Sequence, residues 1–74
     1  MHDAARLHRI NHLLECYRSV SMATLKSDLG VAQATVKRDL AYLRDRLNAP
    51  IVYDRDLRGY RYDQPGTGPR FSLP

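Results

Sequence analysis

Two apolar-periodic segments joined through Leu29-Gly30-Val31 leave this chain few ways to fold. Met22, Leu25 and Leu29 trace the inner stripe of a short helix that Ser21 can cap, and Gly30 follows directly. A glycine at that point accepts the left-handed backbone that stops a helix and turns the chain sharply. Val31 then serves as a pin into the core. Past the turn, Val36, Leu40, Leu43 and Leu47 cluster within roughly 60° of one another on a helical projection, which predicts a longer helix from about Gln33 to Leu47. Its opposite face carries Ala34, Arg38, Ala41 and Asp45. A short helix, a glycine turn and a longer helix make a helix-turn-helix, whose second helix is presented outward by its supports.

The flanking segments complete the pattern. From Ala4 to Tyr17, the residues Leu7, Ile10, Leu14 and Tyr17 recur at helical spacing, with Asp3 as N-cap. Arg6, Arg9, Asn11 and Arg18 fall off that stripe and are expected to face solvent or a phosphate backbone. After Asn48-Ala49-Pro50 closes the third helix, Ile51-Val52-Tyr53 and Tyr60-Arg61-Tyr62 are β-prone runs, and Asp54 to Gly59 supply turn chemistry between them. The expected fold is α+β: a winged helix-turn-helix of three helices followed by a two-stranded β-hairpin wing, spanning residues 1–64. Residues 65–74, rich in Gly and Pro, read as a linker leading to a C-terminal domain absent from this sequence.

With 74 residues the chain has room for one compact domain. Twelve Lys and Arg against eight Asp and Glu give a net charge of +4, which favours a polyanionic partner. The single Cys16 cannot form an internal disulfide, no apolar run reaches the ~20 residues of a membrane span, and the N-terminus lacks signal-peptide order. A cytoplasmic location without membrane association follows as the expectation. His8 and His12 stand four apart but no further ligand completes a metal site, and Cys16 reads as an inert, partly buried thiol. Asp39 is expected to form a structural ion pair with an arginine of the first or third helix. No catalytic set and no cofactor motif emerge, so the chain does not read as an enzyme.

The helix beginning at Gln33 carries the functional pattern. In a helix-turn-helix the opening turns of the second helix meet base edges in the major groove of duplex DNA. Here Gln33, Ala34, Thr35, Lys37 and Arg38 occupy those turns. Gln33 suits adenine, Arg38 the two acceptors of guanine, Thr35 a thymine methyl or a phosphate, and Lys37 a phosphate. Tyr42 can reach a phosphate from the side. Arg55, Arg58 and Arg61, at or beside the hairpin tip, suit a phosphate ridge or a narrow minor groove. Strand alternation sets Tyr60 and Tyr62 inward and Arg61 outward. The alternative is a winged-helix protein-interaction or dimerisation module without base readout, which Lys37 and Arg38 disfavour.

The stretch Leu25 to Tyr62 resembles a known family through Leu29-Gly30-Val31, Ala34-Thr35-Val36-Lys37-Arg38-Asp39-Leu40, Leu43, Ala49-Pro50-Ile51 and Gly59-Tyr60. It is similar to the N-terminal winged helix-turn-helix of bacterial WYL-domain transcriptional regulators, and the related DeoR-like regulators share the Thr-x-x-Arg-Asp-Leu core. The resemblance implies a double-stranded DNA partner, transcription regulation, and a homodimer in the full-length protein. It also implies an effector ligand bound only in the missing C-terminal domain. Two positions depart from the family pattern. Ala32 stands where a serine commonly caps the recognition helix, and Lys37 stands where arginine is frequent, keeping the charge without the bidentate fork.

Overall fold

The computed structural model describes residues 3–63, and two of its three helices open on a side-chain cap. The first, α1 (Ala4–Cys16), opens on Asp3, whose carboxylate accepts from the backbone N–H groups of Ala5 and Arg6. The second, α2 (Met22–Leu29), opens on Ser21, whose hydroxyl accepts from the Thr24 N–H, and closes on Gly30 at φ 67° in the left-handed region. The third, α3 (Gln33–Arg46), begins after Ala32 with no side-chain cap bond. At its far end Leu47 is the C-cap and Asn48 takes a left-handed φ of 54°. The Ala49 N–H then returns to the Leu43 carbonyl at 3.0 Å. Asn48 therefore stops this helix two residues before Pro50 is reached.

Strands β1 (Ile51–Asp54) and β2 (Gly59–Tyr62) pair antiparallel, with Ile51 opposite Tyr62 and Asp54 opposite Gly59. The molecule is thus three helices followed by a two-stranded hairpin, a winged helix-turn-helix. The expected linker at residues 65–74 lies outside the described residues.

One pairing had no counterpart in the sequence pattern. Val20, between α1 and α2, bridges to Tyr60, each N–H donating to the other's carbonyl at 2.8 Å. The hairpin is thereby tied to the helical body by backbone hydrogen bonds as well as by side-chain packing. Close approach at this seam explains Gly59: a Cβ there would lie 3.0 Å from the Val20 carbonyl carbon and oxygen.

The core draws on every element. Leu7, Ile10, Leu13 and Leu14 of α1 meet Val20, Leu25 of α2, Val36, Leu40 and Leu43 of α3, and Ala49, Ile51 and Tyr62 around the wing. Met22, Leu29, Val31, Tyr42, Leu47 and Tyr60 pack against its edge, so Val31 is a half-buried pin.

Four expectations for α1 need correction. The helix ends at Cys16, and Tyr17 turns to extended backbone and is 60% exposed, so it does not continue the apolar stripe. Leu13, absent from that stripe, is buried. Asn11, expected at the surface, is buried and accepts a hydrogen bond from the Tyr62 hydroxyl while donating to Glu15 at 2.6 Å. Burial pushes the Tyr62 phenol well above its ordinary pKa, with the Glu15 charge adding to the shift. Cys16 is exposed rather than partly buried, its Sγ 3.6 Å from His12 Nε2.

Candidate nucleic-acid interface

Whether a cation can serve a nucleic acid depends on what it already holds. Arg6, expected at the surface, reaches from α1 to α3: its Nε and Nη2 donate to the two carboxylate oxygens of Asp39, which is fully buried. This is the structural ion pair expected for Asp39, and the bond to Asp39 raises the Arg6 pKa further. Arg9 donates through Nε and Nη2 to Asp28 of α2 at 2.8 and 2.9 Å. That fork holds the Asp28 carboxyl below its ordinary range. These two arginines stitch α1 to its neighbours, Arg6 to α3 and Arg9 to α2.

The residues that open α3 stand differently. Gln33, Ala34, Lys37 and Arg38 are exposed and Thr35 is half-buried, all within the first turns of α3. Among the described residues, no hydrogen bond or ion pair is made by the side chains of Lys37 and Arg38. They project because Val36, Leu40 and Leu43 claim the inner face, while the Arg6–Asp39 pair fixes the rotation of α3 against α1. Tyr42 is half-buried and packs on the core edge, sharing a shallow depression with Arg38, Ala41, Asp45 and Arg46.

Arg44 escaped the sequence reading. It lines a second depression with Lys37, Leu40 and Tyr60, so the seam between α3 and the wing is bordered by two cations. Its spacing of seven from Lys37 was the available signal, since residues two turns apart share a helix face.

On the wing, Arg55 and Arg58 are exposed at the tip, Arg58 at a left-handed φ of 54°. Tyr60 and Tyr62 do share the inward face, with Tyr53 set edge-on to Tyr60 at 5.1 Å between centroids. Arg61 lies on the other face as alternation requires, but its guanidinium is occupied. Nε donates to Asp54 Oδ2 at 2.9 Å, and Nη1 donates to the Tyr62 and Asp63 carbonyls at 3.1 and 3.2 Å. The other carboxylate oxygen of Asp54 accepts from the Leu57 N–H at 2.9 Å. Together the Leu57 N–H and the Arg61 guanidinium hold the Asp54 carboxyl below its ordinary range. Arg61, expected to meet DNA directly, thus has Nε and Nη1 engaged inside the hairpin.

The family model for the DeoR-like helix-turn-helix domain matches residues 6–49, more than half of the chain and all of α2 and α3. The chain belongs to the DeoR-like helix-turn-helix domain family. This DeoR-like domain is a helix-turn-helix DNA-binding domain, and the matched span ends just before the hairpin, which the structure adds as a wing. Comparison with curated proteins and with solved structures found no match. Among the described residues no group of three or more His, Cys, Asp or Glu could hold a metal ion, and no helix is long and apolar enough to cross a membrane.

Proposed function

We propose that this DeoR-like domain reads duplex DNA by seating the opening turns of α3 in the major groove. Gln33, Ala34, Thr35 and Arg38 face base edges, Lys37, Tyr42 and Arg44 hold phosphates, and Arg55 and Arg58 lie on the backbone or in the minor groove. The observation that carries this is the contrast among the cations. Arg6, Arg9 and Arg61 are bound to aspartates, whereas Lys37 and Arg38 stand exposed with no such partner among the described residues. Ala34 belongs in the surface because a small side chain there lets the helix approach the groove floor. Asp45, two turns beyond Arg38 and exposed, would repel phosphate, which limits groove entry to the N-terminal half.

In its wider setting the domain, residues 1–64, serves as the reading head of a WYL-type bacterial transcriptional regulator acting in the cytoplasm as a homodimer. Residues 65–74 connect it to an effector-sensing C-terminal domain. Support comes from the family membership together with the Gly- and Pro-rich composition of the final segment.

Fluorescence anisotropy with mixed-sequence duplex DNA at several salt concentrations tests the core of this. Affinity should fall linearly on a log–log salt plot with a slope near −0.9 per phosphate contact. Lys37→Ala should weaken binding uniformly across sequences and flatten that slope by about 1, while Arg38→Ala should erode sequence discrimination by about 1–3 kcal/mol. Absence of binding at low salt would sink the assignment. So would affinity indifferent to salt, and an Arg38→Ala variant that binds DNA normally but loses a protein contact would favour the interaction-module alternative.

A further inference from the structure

Asp54 ties the wing together at two points. One oxygen takes the Leu57 N–H, closing the tip loop on itself, and the other takes Arg61 Nε across the hairpin. Arg61 in turn donates to the Tyr62 and Asp63 carbonyls, where the chain leaves β2. Between these anchors lie Arg55 and Arg58, both exposed, and Arg58 holds a left-handed backbone that a side chain bearing a Cβ adopts only when its surroundings enforce it. A four-residue loop without such ties would sample many conformations and lose entropy on meeting DNA.

We propose, building on the DNA-binding function above, that Asp54 and Arg61 are positioning residues: their clamp pre-organises the wing tip so that Arg55 and Arg58 meet the phosphate backbone. Neither Asp54 nor Arg61 touches DNA. The consequence runs against simple electrostatics. Removing the Asp54 charge makes the hairpin more cationic, which by itself would tighten binding to a polyanion, yet loss of the clamp loosens both tip arginines and weakens it.

The test measures anisotropy titrations of the 74-residue chain against mixed-sequence duplex DNA over a salt series, with circular dichroism melts to establish folding. Four proteins are compared with wild type: Asp54→Asn, Arg61→Ala, the double variant Arg55→Ala/Arg58→Ala, and the triple variant adding Arg61→Ala. Asp54→Asn should bind several-fold more weakly, with the salt slope flattened by up to about 2, one for each phosphate that the loosened tip arginines cease to neutralise. Arg61→Ala should weaken binding at least as much, since it loses a positive charge along with the clamp, and it should flatten the slope no further once both tip arginines are gone. The proposal is overturned if folded Asp54→Asn binds as tightly as wild type or tighter. It is equally overturned if Arg61→Ala still flattens the slope by about 1 in the tip-less background, the mark of a direct phosphate contact. Should Asp54→Asn fail to fold, the comparison of the double and triple variants decides alone. A wild-type chain with no salt-dependent binding refutes the DNA-binding function itself and this clamp with it, an outcome distinct from one in which only the variants disagree.

Discussion

Arg6→Met tests the contact that ties α3 to α1. Asp39 has a side chain only 1% exposed, and Arg6, 21% exposed, reaches it from α1 with a two-bond fork. Methionine keeps the aliphatic stem against the core and deletes the guanidinium, so the change isolates the charge. Breaking a buried pair by removing one partner costs about 3–5 kcal/mol because the remaining charge stays desolvated. The partial exposure of Arg6 argues for the lower end, about 3 kcal/mol, since water screens that side of the pair. At roughly 4–8 °C per kcal/mol for a domain this small, Tm should fall by about 12–24 °C. At about 0.05–0.15 kcal/mol per residue the whole chain is expected to have roughly 4–11 kcal/mol of stability, so the loss takes between about a quarter and most of it. Urea unfolding followed by circular dichroism supplies the measurement, and Arg6→Met/Asp39→Leu supplies the control. Replacing both partners by apolar groups should restore stability to within about 1 kcal/mol of wild type. A single variant costing less than about 1 kcal/mol, or a double variant no better than the single, would show that Asp39 does not depend on Arg6.

Three further outcomes are expected. Ala32→Ser should stabilise the chain by about 1 kcal/mol and raise Tm by roughly 4–8 °C, because α3 begins without a side-chain cap. Gly59→Ala should cost about 1–3 kcal/mol in urea melts, since the new methyl would press on the Val20 backbone and push the wing off the helical body. Asp28 and Asp54 both sit below the ordinary carboxylate value of 3.8, so their contribution is present above that value and lost as pH falls through their lower folded values. Urea midpoints should therefore drop on acidification, and Asp28→Asn/Asp54→Asn should flatten that dependence.

Helices α2 and α3 were legible because their signals are local: Ser21 caps, Gly30 stops, and Val36, Leu40 and Leu43 recur at helical spacing. What escaped was set by partners distant in sequence. The buried side of α1 is wider than a single stripe because α1 packs on both α2 and β2, which draws in Leu13. Asn11 goes inside because the buried Tyr62 hydroxyl needs an acceptor, a demand from fifty-one positions away. Val20 pairs as a single residue between two serines, too short to show any period. Alternation placed Arg61 on the correct face of β2, but no pattern within one strand reveals that Asp54 waits diagonally across the hairpin.

The same distinction governs the candidate interface. A net charge of +4 says that cations exceed anions, and nothing about which cations are available. Folding makes that choice. Each bound arginine joins different elements: Arg6 ties α1 to α3, Arg9 ties α1 to α2, and Arg61 ties β2 to β1. Asp28, Asp39 and Asp54 are used up as architecture, while Lys37, Arg38, Arg44, Arg46, Arg55 and Arg58 stand exposed on α3 and the tip. Exposed Asp45 and Asp56 lie among these cations, Asp45 between Arg44 and Arg46 on α3 and Asp56 beside Arg55 at the tip. Exposed cations on both α3 and the wing tip suit a rod-shaped polyanion better than a small one, because a duplex can touch both elements at once while a single phosphate can satisfy only one.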